Sequence, residues 1–219
     1  MLNWAEIDTV LLDMDGTLLD LHFDNHFWLE HLPKRYADYH QLSLAAAKAH
    51  LTQAFAAVAG TLNWYCLDYW EAQLQVPIMA LKREVQHLIR MRNDVPQFLQ
   101  TLRQQQRRTV LVTNAHPASL ALKLEHTALG ELCDELISTH EFGVSKESPL
   151  LWQQLQQKLQ FQPERTLFID DSERILTTAK DFGIGYCWCV KQPDSQRPAQ
   201  AIAAFPSVEH YHDLVKELA

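Results

Sequence analysis

Two aspartates separated by one residue are the most chemically suggestive feature of the sequence. Asp13 and Asp15 stand in the segment DMDGT, directly after the apolar run TVLL. At the end of a β-strand, residues i and i+2 point to the same side, so both carboxylates can address one cation or one phosphate group. Gly16 allows the backbone to turn and to approach a ligand closely. The pair therefore predicts a reactive site in preference to an ordinary Asp-Gly turn.

Three later segments supply the other groups that phosphate chemistry requires. They contribute Thr113 and Asn114 in VLVTN, Lys146 in FGVSKESP, and Asp170 and Asp171 in LFIDDSE. A hydroxyl and a backbone amide can hold phosphate oxygens, and a lysine ammonium can offset their charge. A cluster of carboxylates suits a small hard cation such as Mg²⁺. We expect these groups to act together if the fold brings the four segments to one place.

The apolar runs that precede these groups are predicted β-strands. Strands are predicted at 9–12, 109–113, 166–170 and 184–190, with a weaker candidate at 135–138. Helical patterns that begin at or after Asp94, Pro117, Ser148 and Ser172 alternate with them. Strands that alternate with helices predict an α/β fold, a doubly wound parallel sheet with helices on both faces. Ligands bind such sheets at the carboxyl ends of the strands, which is where the chemical groups fall.

One stretch, from about Phe23 to Arg92, interrupts the alternation because it contains several helical patterns and no convincing strand. Ser43 is predicted to cap a helix that ends near Gly60, and TLNWYCLDYWEAQLQ is predicted to form a further helix. We therefore predict that residues 21–92 form an inserted helical cap domain above the carboxyl edge of the sheet. Residues 1–20 and 93–219 are predicted to form the α/β core.

Several residues near these motifs are candidates for contact with a substrate. Trp64 and Tyr65, with Tyr69 and Trp70, carry rings that could stack on a purine. Tyr65 and Tyr69 are four residues apart, as are Cys66 and Trp70, and this spacing is more typical of packing inside the cap. Asn25 and His26 follow the first aspartates closely, and His116 follows Thr113 by three residues, so each could reach the site or lie in a solvated hinge or turn. The basic end of the cap is predicted to be a solvated helix face; it comprises Lys82, Arg83, Arg90 and Arg92.

Composition restricts the class of protein. The chain has 219 residues, 47% of them hydrophobic and 21% charged, which predicts an ordered globular protein. Its net charge of -8 disfavours binding to polymeric nucleic acid or to a membrane surface. The four cysteines fit neither a disulfide framework nor a CxxC zinc site, and the histidines show no ligand spacing. Buried thiols and no histidine metal cluster are therefore expected.

Targeting signals are also absent from the pattern. The first eight residues lack the basic start of a secretory signal. No apolar run approaches the roughly 20 residues needed to span a bilayer. A cytoplasmic location is expected, and the oligomeric state is left open.

The four motifs, in this order, resemble those of the haloacid dehalogenase superfamily of phosphatases. DMDGT resembles the first motif, VLVTN the second, FGVSKESP the third and LFIDDSE the fourth, with the helical insertion in the place of the family's cap. Many relatives have a proline directly after the lysine of the third motif, whereas this chain has Glu147, so the shape of that loop is less certain than the role of the amine. The resemblance implies a Rossmann-like core and Mg²⁺-dependent phosphate chemistry.

The resemblance also implies a role for each motif residue. Asp13 would be the nucleophile that is transiently phosphorylated, Asp15 the general acid and base, and Lys146 the cation beside the phosphoryl group. Thr113 and the backbone amide of Asn114 would bind phosphate. Mg²⁺ would be held by Asp13, the backbone carbonyl of Asp15 and Asp171, with Asp170 acting through water or as an alternative ligand.

A narrower resemblance concerns the substrate. Five segments together resemble the bacterial GMP/IMP 5′-nucleotidase branch of the superfamily, which implies a purine nucleoside monophosphate as substrate. They are DMDGTLLDLHFDNHFW, TLNWYCLDYW, TNAHP, KLEHT and ERTLFIDDSE. The residues alone predict only a phosphatase. A sugar-phosphate phosphatase or phosphomutase is the alternative that the same motifs would serve, and a non-catalytic phosphometabolite-binding protein is a remoter one.

Overall fold

Six parallel strands form one sheet in the computed structural model, which describes residues 2–216 and 218. They are β1 (Thr9–Leu12), β2 (Arg108–Thr113), β3 (Glu135–Ser138), β4 (Thr166–Asp170), β5 (Tyr186–Val190) and β6 (Ser207–Val208). The order across the sheet is β3-β2-β1-β4-β5-β6, so β1 lies between β2 and β4. Every residue of β1 and β4 is buried, because helices cover both faces of the sheet and the strands are continuous apolar runs.

The helices fall into a group from the middle of the chain and a group that alternates with the strands. They are α1 (His22–His26), α2 (Leu32–His40), α3 (Leu44–Val58), α4 (Leu62–Tyr65), α5 (Leu67–Leu74), α6 (Ile78–Glu84), α7 (Val95–Gln104), α8 (Pro117–Glu125), α9 (Leu129–Leu132), α10 (Pro149–Leu159), α11 (Glu173–Phe182) and α12 (Tyr211–Val215). A π-helical turn, Phe27–His31, joins α1 to α2. The predicted fold class, a doubly wound α/β core with an inserted helical segment, is confirmed.

Helix starts agree with the sequence at three predicted serine caps and differ at one aspartate. Ser43, Ser148 and Ser172 each accept a hydrogen bond from a backbone N–H of the helix that follows. Asp94 precedes α7 without capping it, because its carboxylate accepts the Tyr211 backbone N–H at 2.6 Å. The C-terminal α12 is thereby attached to the start of α7.

Strand ends were predicted less well than strand positions. β5 begins at Tyr186, two residues after the predicted start, because Ile184 and Gly185 follow the left-handed end of α11 at Gly183. The two-residue strand β6 was not predicted, since a segment of that length carries no periodicity. Neither difference affects the strand ends near the motif residues.

The helices α1 to α6 pack around an apolar cluster of their own. Its largest buried members are Phe23, Phe27 and Trp70. Leu122 of α8 joins the same cluster, so this core helix forms part of the surface on which the cap helices pack. Movement of the cap would therefore alter contacts along α8.

The predicted helix TLNWYCLDYWEAQLQ is interrupted at Cys66. α4 ends at Tyr65, Cys66 has an extended backbone with φ -84 and ψ 112, and α5 begins at Leu67. The carbonyl of Trp64, which a continuous helix would use internally, accepts the indole N–H of Trp70 at 2.8 Å. The break turns Tyr65 and Cys66 away from the cap interior.

Two chain segments connect the cap to the core, and they run side by side. Leu19 and Met91 form an antiparallel bridge. The Asp20 N–H donates to the Arg90 carbonyl at 3.1 Å, and the Arg90 guanidinium lies 2.6 Å from the Asp20 carboxylate.

None of the helices within residues 2–216 combines the length and the apolar character that a membrane span requires.

Candidate active site

The carboxyl ends of the central strands bring the four sequence motifs together. Asp13 follows β1, Thr113 ends β2 and Asp170 ends β4, and these strands are neighbours. The Lys146 ammonium, from the loop after β3, lies 2.5 Å from Asp13 Oδ1 and 2.6 Å from Asp170 Oδ2. Lys146 is only 1% exposed, so the ion pairs lie away from bulk solvent. They are consequently much less screened than pairs on the surface.

The loop that carries Lys146 is fixed by Asn114. Its side-chain oxygen accepts the Lys146 backbone N–H at 2.9 Å and the Thr139 hydroxyl at 3.0 Å. Its amide donates to Glu147 at 3.1 Å. The Asn114 side chain therefore ties the end of β2 to the loop that carries Lys146. Glu147, at the position where many relatives have proline, takes part in the same network.

Three carboxylates at the floor of the site are suited to a divalent cation. Asp13, Asp170 and Asp171 each offer an oxygen, and these oxygens lie within 4.8 Å of one another. Asp13 Oδ2 is buried and has no hydrogen-bond partner among the described residues. An orphaned carboxylate oxygen beside two further acids fits a hard cation that prefers oxygen ligands, such as Mg²⁺.

Burial and mutual repulsion raise the pKa of two of these acids, Asp13 and Asp171. Burial raises the pKa of Asp13 to about 6, even though the Lys146 ammonium acts in the opposite direction. Burial, followed by the charges of Asp170 and Asp13, raises the pKa of Asp171 well above its usual value. A bound cation would relieve both effects by stabilising the ionised carboxylates.

Gly16 makes the approach of Asp171 to the first motif possible. Its φ of +87 lies in the left-handed region, and a Cβ atom there would stand 2.5 Å from Asp171 Oδ2. A side chain would thus strain the turn and collide with a carboxylate of the acidic cluster. The glycine of DMDGT is required by this contact as well as by the turn.

Asp15 contacts a different ammonium from the one beside Asp13. Lys123 of α8 places its Nζ 2.6 Å from Asp15 Oδ1 and 2.7 Å from Asp24 Oδ2. Asp24, on α1, also accepts from Lys82 of α6 at 2.9 Å. Lys82 and Lys123 are both 1% exposed. A buried chain of alternating charges therefore runs from Asp15 into the cap.

The pKa values of the two aspartates in this row of charges are shifted in opposite directions. Burial raises the pKa of Asp15 to about 6, and Lys123 only partly opposes it. Burial would also raise the pKa of Asp24, but Lys123 and Lys82 together outweigh it and hold that pKa below its usual value. Asp24 is thus expected to be ionised at neutral pH, whereas the proton on Asp15 is lost close to neutrality.

Lys82 and Lys123 were not identified from the sequence, and the interpretation of Lys82 as part of a solvated helix face is wrong. Both lysines occupy the apolar stripe of their helices. Lys82 follows buried Ile78 by four residues in α6, and Lys123 follows buried Leu120 by three in α8. A lysine at such a position must find a partner inside the protein, and this signal was available in the sequence.

A cavity of about 320 Å³ opens above the acids. Its lining includes Asn25, Trp64, Tyr65 and His116, four of the five predicted substrate contacts. Two of these groups are already engaged across the cap boundary, since the Tyr65 hydroxyl donates to Glu147 at 2.8 Å and the Asn25 amide donates to Asp194 at 2.7 Å.

The fifth predicted contact, His26, lies outside the cavity lining. Its ring faces Glu30 at 3.6 Å and packs near His22, with ring centroids 5.9 Å apart. On α1, His26 follows Asn25, which faces the cavity, and a step of one residue turns a side chain by about 100° around a helix. The expectation of a substrate contact at His26 is therefore not supported.

Comparison with known proteins agrees with this geometry. The family model described as haloacid dehalogenase-like hydrolase matches residues 7–183. The chain belongs to the haloacid dehalogenase-like hydrolase family. It is similar to the GMP/IMP nucleotidase YrfG of Escherichia coli (strain K12), with 45% identity over 215 residues that cover 98% of this chain and 97% of that protein.

Solved structures of haloacid dehalogenase-like hydrolases share the fold over the whole chain. An HAD phosphatase from Thermococcus onnurineus superposes with a TM-score of 0.79 at 18% identity, covering 97% of this chain and 98% of that one. An HAD family hydrolase from Deinococcus radiodurans R1, solved with bound phosphate and sodium, superposes with a TM-score of 0.64 at 21% identity. The match covers 98% of this chain and 96% of that one. At these identities the likeness concerns the architecture.

Proposed function

We propose that the protein is a Mg²⁺-dependent phosphomonoester hydrolase that converts purine nucleoside 5′-monophosphates, GMP and IMP, to nucleoside and phosphate. The observation that carries the proposal is the setting of Asp13. One of its oxygens is held by Lys146, and the other is buried at the floor of a cavity with no partner in the part of the chain that the structure describes. The choice of substrate is supported by the 45% identity to an enzyme named for GMP and IMP.

In the proposed reaction Asp13 attacks phosphorus, so that an Asp13–phosphorus bond forms while the bond from phosphorus to the ribose oxygen breaks. Asp15 gives its proton to the departing ribose oxygen. It then takes a proton from the water that attacks the phosphorylated Asp13, which releases phosphate, frees the Asp13 carboxylate and returns Asp15 to its protonated form. An Asp15 pKa of about 6 suits a group that must both donate and accept a proton near pH 7.

The remaining motif residues are proposed to hold charge and position. Lys146 orients Asp13 and offsets phosphate charge, while the Thr113 hydroxyl and the Asn114 backbone amide bind phosphate oxygens. Mg²⁺ would be held by Asp13, the Asp15 carbonyl and Asp171, with Asp170 acting through water or as an alternative ligand, and its chemical contribution is to neutralise the oxygens that otherwise repel a nucleophile.

The cavity supports a flat heteroaromatic substrate. Trp64 and Trp28, both on its lining, have ring centroids 6.4 Å apart at an interplanar angle of 27°. Aromatic side chains stack on any nucleobase, because every base has a flat π-face. We propose that the purine lies against these rings while the phosphate meets Lys146.

The test is a panel of nucleoside monophosphates and sugar phosphates assayed for phosphate release with Mg²⁺. GMP and IMP are expected to be the best substrates, and EDTA is expected to abolish the reaction. Asp13→Asn should lose turnover while circular dichroism and the unfolding midpoint show an intact fold. Near-normal turnover by Asp13→Asn would exclude the covalent route. An isomerised sugar phosphate as the main product would replace the nucleotidase by a phosphomutase.

A further inference from the structure

A second group of metal-ligating side chains lies beside the cavity, away from the acidic floor. Cys66, His116 and His140 each offer a ligand atom, and these atoms lie within 4.8 Å of one another. They come from three separate elements, since Cys66 lies at the break between α4 and α5, His116 precedes α8, and His140 lies in the turn after β3. This separation explains why the sequence analysis found no ligand spacing among the histidines.

One ring nitrogen of His140 is buried. This atom, Nε2, has no hydrogen-bond partner among the described residues. Burial, together with the neighbouring His116 ring, lowers the pKa of His140, so the imidazole is neutral at pH 7. A neutral imidazole with an unused, buried nitrogen is the form in which histidine binds a metal.

Asp68 stands next to His116 but outside this group of three, so its exposed side chain would have to rotate toward Cys66 and His140 to become a fourth ligand. Asp68 Oδ2 lies 3.5 Å from His116 Nε2, which is close to the edge of a tetrahedron of ligands around zinc. His116 Nδ1 accepts the Ala118 backbone N–H at 3.2 Å. Binding through Nε2 would move the ring proton to Nδ1 and give up that one hydrogen bond.

We propose that Cys66, His116 and His140, with Asp68, form a site for a divalent transition metal such as Zn²⁺ that joins the cap to the core. One thiolate, two imidazoles and one carboxylate make a four-coordinate set of the kind zinc prefers. The Cys66 thiol loses its proton to solvent on binding, and the two anionic ligands then balance the charge of the metal. Mg²⁺ competes poorly here because it prefers oxygen ligands.

Occupation of this site has a consequence for the cavity. Cys66 belongs to the cap and directly follows Tyr65, whereas His116 and His140 belong to the core. Metal bonds from Cys66 to both histidines would hold α4 and α5 down on the core beside the cavity. Zn²⁺ is thus a reversible inhibitor that slows substrate entry and product release. The metal site itself is independent of the proposed function, whereas the inhibition rests on it.

Metal binding is tested with Co²⁺ as the spectroscopic probe, added to the full-length protein in excess Mg²⁺ to fill the acidic cluster. One equivalent is expected to bind with a thiolate-to-cobalt charge-transfer band in the near ultraviolet. Cys66→Ser should lose the band. Cys133→Ser, which changes a buried thiol of the sheet core, should retain it. No band in the unmodified protein, or an unchanged band in Cys66→Ser, would overturn the proposal.

Inhibition is tested by titrating Zn²⁺ into the phosphatase assay at saturating Mg²⁺. The unmodified protein and Cys133→Ser should be inhibited, while Cys66→Ser and His140→Gln should resist, with at least a 10-fold higher inhibitory concentration, the lower end of what a lost metal contact costs. Two variants are used so that a folding defect in one leaves the other informative. Equal inhibition of all four proteins would mean that Zn²⁺ displaces Mg²⁺ from the carboxylates and would overturn the regulatory role. A protein that binds Co²⁺ as expected yet hydrolyses no phosphomonoester would contradict the proposed function alone.

Discussion

Asp13 and Asp15 stand two residues apart, yet each has its own buried ammonium partner. Lys146 reaches Asp13 from the loop after β3, and Lys123 reaches Asp15 from α8. Lys146 also binds Asp170 of the acidic floor, whereas Lys123 also binds Asp24 of the cap. The two carboxylates are thus tied to different parts of the molecule, which suits one to attack at a fixed point and the other to respond to the cap.

Asp15→Asn should separate the two halves of the reaction. We expect its steady-state turnover of GMP to fall by about 10² to 10⁴, the usual contribution of a general acid or base. With p-nitrophenyl phosphate the first turnover should persist, because p-nitrophenolate leaves without being protonated. Stopped-flow measurement should therefore show a burst of p-nitrophenol followed by slow turnover. Asp38→Asn, which changes an exposed cap carboxylate, serves as the control and should behave like the unmodified protein. Loss of the burst would argue against Asp15 as the acid.

Asp24 gives a prediction for stability as a function of pH. Its pKa is lowered in the folded protein, because Lys123 and Lys82 outweigh burial, so its contribution is present above the unfolded pKa of about 3.9 and is lost as the pH falls below it. Asp24→Asn leaves two lysines buried without their shared partner and should cost about 3 kcal/mol at pH 7. Urea unfolding at pH 7 and pH 3 would measure this, and the difference between the two proteins should shrink at the lower pH. A difference that is constant with pH would contradict the ionic role.

At the scale of the elements, the sequence predicted what is local and missed what depends on packing. Buried parallel strands are continuous apolar runs, so β1 and β4 were placed at their observed bounds. The break at Cys66 was missed because the Trp70 indole, a tertiary contact, takes the Trp64 carbonyl. The motif residues were predicted because strand ends meet at one edge of the sheet. Lys82 and Lys123 were not predicted: their helical positions were visible in the sequence, but their partners, Asp24 on α1 and Asp15 in the loop after β1, are far away along the chain.

The turn after β1 yields a prediction with a matched control. Gly16→Ala should destabilise the protein by about 1–3 kcal/mol through a strained left-handed backbone. It should also raise the Mg²⁺ concentration needed for half-maximal activity, because the added Cβ would displace Asp171 Oδ2. Gly143→Ala also has a positive φ, of +70, but the new Cβ would meet nothing within 4 Å. Gly143→Ala should therefore be less stable but keep the Mg²⁺ requirement of the unmodified protein. Mg²⁺ titrations of activity and urea unfolding of both variants separate strain from collision; an unchanged Mg²⁺ requirement in Gly16→Ala would contradict the second effect.

At the scale of the whole molecule, the cap and the core touch the cavity from opposite sides, and polar contacts between side chains join them. Tyr65 with Glu147, Asn25 with Asp194, and Asp24 with Lys123 are three of these contacts. Each joins one side chain of the cap to one of the core. A ligand that contacts both sides should therefore add to a modest set of existing interactions and favour the closed arrangement.

Hydrogen exchange should detect this closure. With inorganic phosphate and Mg²⁺ added, we expect slower exchange at the two connections, residues 17–23 and 90–94, and in α4 and α5. Exchange in β1 and β4 should not change, because these strands are already buried in the sheet. Equal protection of the connections with and without the ligand would contradict cap closure.

The adjacency of the two connections has a consequence for how such a protein can diversify. The polypeptide leaves the sheet and returns to it at points joined by a direct hydrogen bond between Asp20 and Arg90. The helical cap between these two points can accordingly become longer, shorter or different in structure without changing the spacing that the strands require. Preference for one metabolite over another is then free to drift, while the machinery that breaks the ester bond stays the same.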